Sequence, residues 1–553
     1  MNRYSILYIL ILSLFYGCGV SKSIHHQPLT DGYNATTPTV VRYSDSVFSA
    51  GRNYLLKNDF GQWEMYVSGD PLERGLAMGA LYDSLYHYQE DVFFGKINEL
   101  VPSKFRQSLL RQFLKFYNRK LYLNVPEEYK TEIYGVSRFA SDNYDKIAPK
   151  YLRNLYLHGA HDIGHALEDL ALVGCSSMAF WNEKTEDGKL LLGRNFDFYA
   201  GDDFAKNKII AFIKPDSGYG LMMVTWPGMV GVVSGMNERG LTITMNAGKS
   251  KIPLVAKTPI SIVARTILQY AGTIEEAVTI ARRFKVFVSE SLMVSSSKDR
   301  KAVLIEMSPK NFGVYDVPGS DELICTNHFQ SSAYKEDKKN NRHILESHSL
   351  YRFERIEELL QNETQKMDPA AVAAILRNKE GLRNKPIGYG NEKSLNQLLA
   401  HHGIIFQPED LKVWVSSSPY QSGTFVAYDL KAIFADTGSV IRSKNLVSLN
   451  IPADSFIYTN AYRDYEAYRV LDRQIDAAIK KKTLLAEDVL FKYRQLNPEL
   501  WIVYYKSGVY YYNYKQYEAA DNAFRIALSK EITTLPDKEN IEKYLKKLKR
   551  KIK

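Results

Sequence analysis

Apolar residues are arranged along this chain in distinct regimes. A nearly unbroken apolar run from Tyr4 to Tyr16 follows Met1-Asn2-Arg3 and ends at Gly17-Cys18. From about residue 54 to residue 170 apolar positions recur at three- and four-residue spacing, as in Leu109–Tyr117 and Leu152–Leu172, which predicts helices with one buried face. A strand-like run near Trp63 ends at Gly69, and Asp70-Pro71 then opens a helix. At Leu172 the pattern changes to short apolar and β-branched runs between tight turns. Leu190–Phe198, Lys208–Ile213, Gly220–Thr225, Gly228–Ser234 and Leu241–Met245 read as strands. Helices Ile260–Tyr270 and Ile274–Phe284 follow, the second with Thr273 and Glu276 at capping-box spacing. Further strands are expected at Leu292–Ser295, Ala302–Met307, Phe312–Val317, Val413–Ser416 and Thr424–Asp429. A surface loop is expected at Lys335–Arg342 and a helix at Tyr351–Gln361. The end of the chain returns to helix, with Trp501–Tyr514 and Tyr517–Ser529 pairing across a short turn.

Strand-rich blocks around a helix pair, joined by meanders, predict an α+β layered domain instead of a doubly wound parallel sheet. The domain plan is a signal peptide at 1–17, a Ser/Thr/His/Asn-rich tether at 18–60, a helical segment at 61–174, the layered domain at 175–445 and a helical region at 446–553. Tyr517–Ser529 resembles the second helix of a single tetratricopeptide repeat. A lone repeat cannot bury its face unaided, so it is expected to pack on its own protein, leaving a protein contact through these helices open.

The first 17 residues combine a basic start, an apolar core too short for a comfortable membrane span and a small residue before Cys18. This end resembles a lipoprotein signal, which implies lipidation of Cys18, export and attachment to a membrane of the bacterial cell envelope, on a periplasmic or surface face.

The 553 residues are enough for about three domains, and 45% hydrophobic with 24% charged residues excludes a wholly disordered chain. The net charge of +10 is mild and sits partly in the terminal run Lys546, Lys547, Lys549, Arg550, Lys551 and Lys553, so it does not point to nucleic acid. Three cysteines exclude a disulfide framework, and Cys325 reads as a buried strand residue. His158, His161-Asp162 and His165 share one helical face and could hold a metal, but supporting ligands are not recognisable; the set reads as a polar helix face.

The chemistry converges on Cys175, in Gly174-Cys175-Ser176-Ser177. A hairpin would return Arg194 and Asp197 beside it. Charged residues in apolar strands need a partner, and an arginine near a thiol favours the reactive thiolate.

Gly174-Cys175, Gly193-Arg194-Asn195-Phe196-Asp197, Gly235-Met236-Asn237-Glu238-Arg239-Gly240-Leu241 with Asn246, Thr326-Asn327-His328-Phe329 and Ser349-Leu350-Tyr351-Arg352-Phe353 occur in this order. Together they resemble the N-terminal-nucleophile hydrolases, specifically the peptidase C45 group of acyl-CoA:6-aminopenicillanate (isopenicillin N) acyltransferases, related to choloylglycine hydrolases and penicillin V acylases. Gly69-Asp70-Pro71-Leu72-Glu73-Arg74-Gly75 also looks like the opening segment of that branch. The resemblance covers about residues 60–440. It implies a four-layer αββα core, no cofactor or metal, and a small-molecule N-acyl substrate, amide or thioester.

The implied roles are as follows. Cys175 is freed by cleavage after Gly174 and becomes the nucleophile, with its own α-amine as base. Asn246 is the oxyanion donor, Asn327 holds the tetrahedral centre or the new amine, Asp197 orients that amine, and Arg194 holds the thiolate or acyl carbonyl. Arg352 is a pocket-facing cation, for which Arg355 one turn away could substitute. Asn195 and Asn237 read as structural. From the residues themselves, Phe180, Trp181, Phe198, Tyr199 and Trp226 suggest an apolar acyl pocket, and core packing explains most of them equally well. The other reading is a non-catalytic lipoprotein of the same fold that binds or assembles partners.

Overall fold

The computed structural model describes residues 18–159, 173–249, 255–362, 365–435, 441–486 and 488–552. Among them, eleven strands form one sheet, in the spatial order Val41–Ser44, Val47–Ala50, Asn53–Lys57, Trp63–Gly69, Ile209–Pro215, Leu221–Thr225, Ser234–Asn237, Leu241–Ala247, Glu290–Ser296, Lys301–Met307 and Phe312–Tyr315. Trp63–Gly69 and Ile209–Pro215 pair in parallel, stitching the N-terminal segment into the sheet. A six-stranded antiparallel sheet runs Glu322–Cys325, Val173–Phe180, Leu191–Phe198, His402–Gln407, Lys412–Ser416 and Phe425–Asp429.

The side-chain alternation of these strands builds four layers. Phe212, Met222, Val224 and Leu304 of the large sheet meet Leu192, Ile404, Phe406 and Val413 of the small one in a shared core. The outer face of the large sheet is covered by helices Pro71–Leu81, Glu127–Ser137, Ile260–Tyr270 and Ile274–Arg282. On the outer face of the small sheet, Ile356, Val372 and Leu376 from helices Ser349–Asn362 and Pro369–Leu376 cover Met178, Phe180, Ile405 and Trp414. The fold is α+β, with an αββα core and a helical C-terminal region. The expected helix starts are present: Asp70 caps Glu73 at 2.8 Å, and Thr273 and Glu276 form a reciprocal capping box.

Several expectations change. Residues 18–60 are not a tether. Asn53–Lys57 and Val47–Ala50 form a hairpin across Gly51, at φ +61°, and Leu55 and Leu56 are buried. The alternation there is only a few residues long, and the polar residues around it masked it. Lys335–Arg342 is not a loop: helix Lys338–Glu346 starts on an Asp337 cap, and its charges form the solvent face while Asn340 is buried. Gly228–Ser234 is irregular; its apolar residues are buried against other elements, and Val232 N–H bonds to Ser261 O at 2.9 Å instead of to a ladder. The strand His402–Gln407 and helix Pro369–Leu376 had no expectation.

The C-terminal helices Asn460–Lys481, Val489–Leu496, Trp501–Asn513, Tyr517–Ser529 and Leu535–Leu548 share a core that includes Tyr465, Tyr493, Trp501 and Phe524, and takes in Leu398 from the layered domain. Among the described residues no helix is long and apolar enough to cross a membrane. The apolar run Tyr4–Tyr16 lies outside them.

Candidate active site

Strands Val173–Phe180 and Leu191–Phe198 pair antiparallel, with Gly174 opposite Asp197, Cys175 opposite Phe196 and Ser177 opposite Arg194. Directly opposed residues share a face of the sheet and neighbours alternate. Cys175, Ser177, Arg194 and Phe196 therefore face the large sheet, while Gly174, Ser176 and Asp197 face the helix Ser349–Asn362. The nucleophile candidate has its thiol on one face and the residues that hold its backbone on the other.

On the thiol face, Arg194 Nη2 lies 3.5 Å from Cys175 Sγ. The guanidinium is fixed by Val233 O at 2.9 Å, Ser234 Oγ at 2.5 Å and Met245 O, and lies over the Phe196 ring at 4.2 Å. Cys175 is buried, and that burial pushes its thiol up, with Arg194 offsetting only part of the effect. Arg194 pulls the thiol towards thiolate, as a neighbouring cation should, but desolvation of the buried sulfur is the larger effect.

On the other face, the Cys175 N–H donates to Asn327 Oδ1 at 3.0 Å. Arg352 Nη2 donates to the same oxygen at 2.6 Å, and its Nη1 donates to Cys175 O at 2.6 Å and Ser176 Oγ at 2.8 Å. Asn327 is locked by its Nδ2 on Ala247 O at 3.0 Å and by its own N–H on Ser349 Oγ at 2.8 Å, at the start of the helix that presents Arg352. Arg355 points elsewhere, to Glu358 at 2.9 Å, Asn378 and Asn384, so it does not stand in for Arg352.

Asp197 is fully buried opposite Gly174, and neither carboxylate oxygen has a hydrogen-bond partner among the described residues. Burial pushes it up to about 8, against the pull of Arg352 and Arg194. Asn246 sits nearby on Leu241–Ala247, but Nδ2 donates to both Cys325 O at 3.0 Å and Thr326 O at 3.1 Å, and Oδ1 accepts from Ser177 Oγ at 2.8 Å. Both of its amide hydrogens are thus engaged in tying the two sheets together. Cys325 is buried at a strand end. Asn195 bonds Leu376 O and Leu395 O, and Asn237 bonds Leu268 O and Ala271 O, both holding backbone.

Other neighbours carried no sequence signal. Gln397 is the side chain closest to where a Gly174 Cβ would stand, at 2.6 Å. His348 accepts from Arg352 Nε at 3.2 Å, and burial together with Arg352 holds it well below the usual histidine range. Ser234 links Arg194 to His402 Nε2 at 2.9 Å. None of these belongs to a recognisable motif; only the spacing of His348 and Arg352, one helical turn apart, shows in the sequence. His158 uses Nδ1 on Asn154 O and Nε2 on the Val230 N–H, both at 2.9 Å, so it is a satisfied core histidine; His161, Asp162 and His165 lie outside the described residues. Among the described residues there is no cluster able to hold a metal ion.

Beyond Phe196 the strand leads into an aromatic recess lined by Phe198, Phe204, Trp226, Met229, Tyr86 and Phe93. Phe196 stacks on Phe198 at 5.6 Å and Phe198 on Trp226 at 6.3 Å. Phe180 and Trp181 are elsewhere, in the outer and inter-sheet cores, and Tyr199 bonds Asp202.

Residues 181–418 match the family described as acyl-coenzyme A:6-aminopenicillanic acid acyl-transferase. An uncharacterized protein of Archaeoglobus fulgidus is 26% identical over 279 residues, 48% of this chain and 46% of that one. Protein dcd1B of Dictyostelium discoideum is 23% identical over 286 residues, 48% of this chain and 54% of that one. The chain thus spans about half the length of each of these relatives. Among solved structures, the Caenorhabditis elegans ortholog of N-acylethanolamine-hydrolyzing acid amidase is 18% identical, over 42% of this chain and 93% of that one, with a TM-score of 0.31. A conjugated bile acid hydrolase from Clostridium perfringens is 13% identical, over 49% and 96%, with a TM-score of 0.31. Cys175 lies just before the matched segment, whereas Arg194, Asp197, Asn246, Asn327 and Arg352 all lie inside it. Over residues 181–418, which hold most of the site, the chain is similar to the acyl-coenzyme A:6-aminopenicillanic acid acyl-transferase family.

Proposed function

We propose that this chain is a cysteine-nucleophile amidohydrolase or acyltransferase that acts on small N-acyl substrates, amides or thioesters, after the Gly174–Cys175 bond is broken. One observation carries the reading: the Cys175 N–H, which cleavage turns into an α-amine, already has an acceptor in Asn327 Oδ1 at 3.0 Å, with its thiol beside Arg194 at 3.5 Å. Any buried N–H needs an acceptor, but an inert cysteine needs no guanidinium beside its sulfur.

In processing, Sγ adds to the Gly174 carbonyl carbon. The C–N bond to Cys175 breaks, the nitrogen keeps the thiol's proton, and a thioester remains that water cleaves to a Gly174 carboxylate and a free thiol. In turnover the new α-amine takes the thiol proton. The thiolate attacks the substrate carbonyl, and the leaving amine or thiol departs with that proton. Water or an acceptor amine then resolves the acyl-enzyme. Arg194 stabilises negative charge on sulfur or the carbonyl oxygen, Arg352 and Asn327 fix the Cys175 backbone, and Asp197 orients the α-amine. Asn246 donates to the oxyanion by giving up one of its carbonyl partners. The acyl group extends towards Phe198 and Trp226.

Export and lipid attachment through Cys18 complete the proposal, on the strength of the residues 1–18 alone. The test is N-terminal sequencing and mass analysis of the expressed protein, with a thiol-reactive β-lactam probe. The expected result is two copurifying pieces ending at Gly174 and starting at Cys175, with label on Cys175, and a single unlabelled chain for Cys175→Ala. A membrane fraction that loses the protein on Cys18→Ala tests the anchor. A whole wild-type chain that takes no label would instead favour the binding-protein reading.

A further inference from the structure

The C-terminal helices lie outside the matched family segment, yet they reach the walls of the site. Arg469 on Asn460–Lys481 is only 13% exposed, and its guanidinium bonds Asp202 and Tyr420 at once. It also reaches Tyr199 Oη at 3.5 Å, and Tyr199 in turn donates to Asp202 Oδ1 at 3.0 Å. The loop so held begins directly after Phe198, and two residues past Asp202 it delivers Phe204. The Phe204 ring packs on Phe198 at 5.4 Å and on Trp226 at 5.3 Å, forming one wall of the recess.

Apart from Arg469, the loop is tied by Arg473 Nη1 on Asp202 Oδ2 at 3.4 Å, from a side chain that is more than half exposed. It turns at Gly201, at φ +99°, and its backbone makes turn bonds, such as Phe204 N–H to Gly201 O at 3.2 Å, and one long bond from Gln89 Nε2 to Phe204 O at 3.5 Å. A solitary half-exposed ion pair contributes little. Here one planar fork spans two loops and a tyrosine pair, a task a lysine's single point charge cannot repeat.

We propose that Arg469 is a positioning residue: it clamps the loop 199–204 so that Phe204 closes the recess, and thereby sets how well large acyl groups are accepted. The inference rests on the acyl-transfer reading above. Acyl groups too small to touch Phe204 do not sense the clamp, and larger ones lose a wall when it opens.

The test uses the full-length protein with Arg469→Ala, Asp202→Asn, their double variant, Arg469→Lys, and Arg473→Ala to measure the weaker, exposed contact to the same Asp202 carboxylate. For N-phenylacetyl amino acids kcat/KM is expected to fall about tenfold through KM in Arg469→Ala, since displacing a substrate-positioning wall by a fraction of an ångström has effects of that order. N-acetyl substrates stay near wild type. The double variant is expected to be no worse than either single one, because both remove the same contact. Arg469→Lys is expected to restore little and Arg473→Ala to change little. Equal losses for small and large acyl groups would mean a merely structural role and would overturn the proposal. Hydrogen exchange gives a readout independent of turnover: exchange over 199–204 should accelerate in Arg469→Ala, and unchanged exchange there would sink the clamp. A wild type that turns over no acyl substrate counts against the acyl-transfer reading, and the exchange result then decides the clamp by itself.

Discussion

Arg352 and Cys175 converge on one atom, Oδ1 of Asn327: the Arg352 Nη2 donates to it at 2.6 Å and the Cys175 N–H at 3.0 Å. Arg352 also holds Cys175 O, so the peptide unit on each side of the Cys175 Cα has a fixed partner. A free chain end at Cys175 would keep both partners after the cut, which places the amine without any rearrangement of the strand.

Arg352→Ala is therefore expected to lower kcat by about 10²-fold, on the scale of losing a preorganised polar group in a dry site. Arg355→Ala removes contacts to Glu358, Asn378 and Asn384 and should reduce thermal stability while kcat stays close to wild type. Steady-state kinetics beside melting curves for the two variants check this; equal kinetic losses would remove Arg352 from its role.

Asp197 gives a pH prediction. In the uncut chain burial raises its carboxyl to about 8, above the ordinary aspartate value near 4. The folded chain then binds one more proton than the unfolded chain between these values, so this group's stabilising contribution is complete below about pH 4 and is lost as pH rises towards 8. Melting of the uncut Cys175→Ala chain should fall across that window. In the Cys175→Ala/Asp197→Asn chain the decline should flatten, with the gain largest near pH 8. Parallel curves would show that Asp197 is ionised in the fold.

The elements that carry the site were legible because their signals are local. The capping box at Thr273, the Asp70-Pro71 start and the strand Leu191–Phe198 each show in a few consecutive residues. Cys175, Arg194 and Asp197 could be placed together because a hairpin needs only the turn and the period of two. What escaped notice was set by distant packing. Asn53–Lys57 is a strand because Trp63–Gly69 lies beside it, and nothing in its own composition says so. Gln397 reaches Gly174, and Arg469 reaches Asp202, through chain separations that leave no periodic trace. The choice between Arg352 and Arg355 is a matter of helix phase, which the packing of Phe353, Ile356 and Leu360 on the small sheet fixes.

Asn246 carries a double expectation. With Nδ2 on Cys325 O and Thr326 O, the side chain links Leu241–Ala247 to the end of Glu322–Cys325 across the two sheets. Asn246→Ala removes the amide donor from both carbonyls, leaving Thr326 O only the weak Cys325 Sγ donor at 3.5 Å, and is expected to cost about 1–3 kcal/mol of stability for each group left unsatisfied. It should also lower kcat by about 10²–10³ if the same amide serves the oxyanion. Denaturant unfolding and kinetics separate the two effects. A large stability loss with unchanged kcat would make Asn246 a structural clasp only.

Gly174 tests how the cut is made. Gly174 is paired within the strand Val173–Phe180 and is not among the glycines at positive φ. What it needs is room. A Cβ there would stand 2.6 Å from Gln397 Nε2 and 3.0 Å from Gln397 Oε1, and Gln397 is itself buried, with Nε2 on Glu392 O at 3.2 Å. Gly174→Ala must push Gln397 aside or shift the strand away from Asn327, and the second response moves the scissile carbonyl relative to the thiol. Processing of Gly174→Ala is therefore expected to slow markedly, and Gln397→Ala in the same chain should restore most of the rate by clearing the space. The measurement is the time course of conversion from one chain to two on a denaturing gel. A Gly174→Ala chain that stays uncut with or without Gln397 would mean that glycine's backbone freedom, not the space beside it, is what cleavage requires.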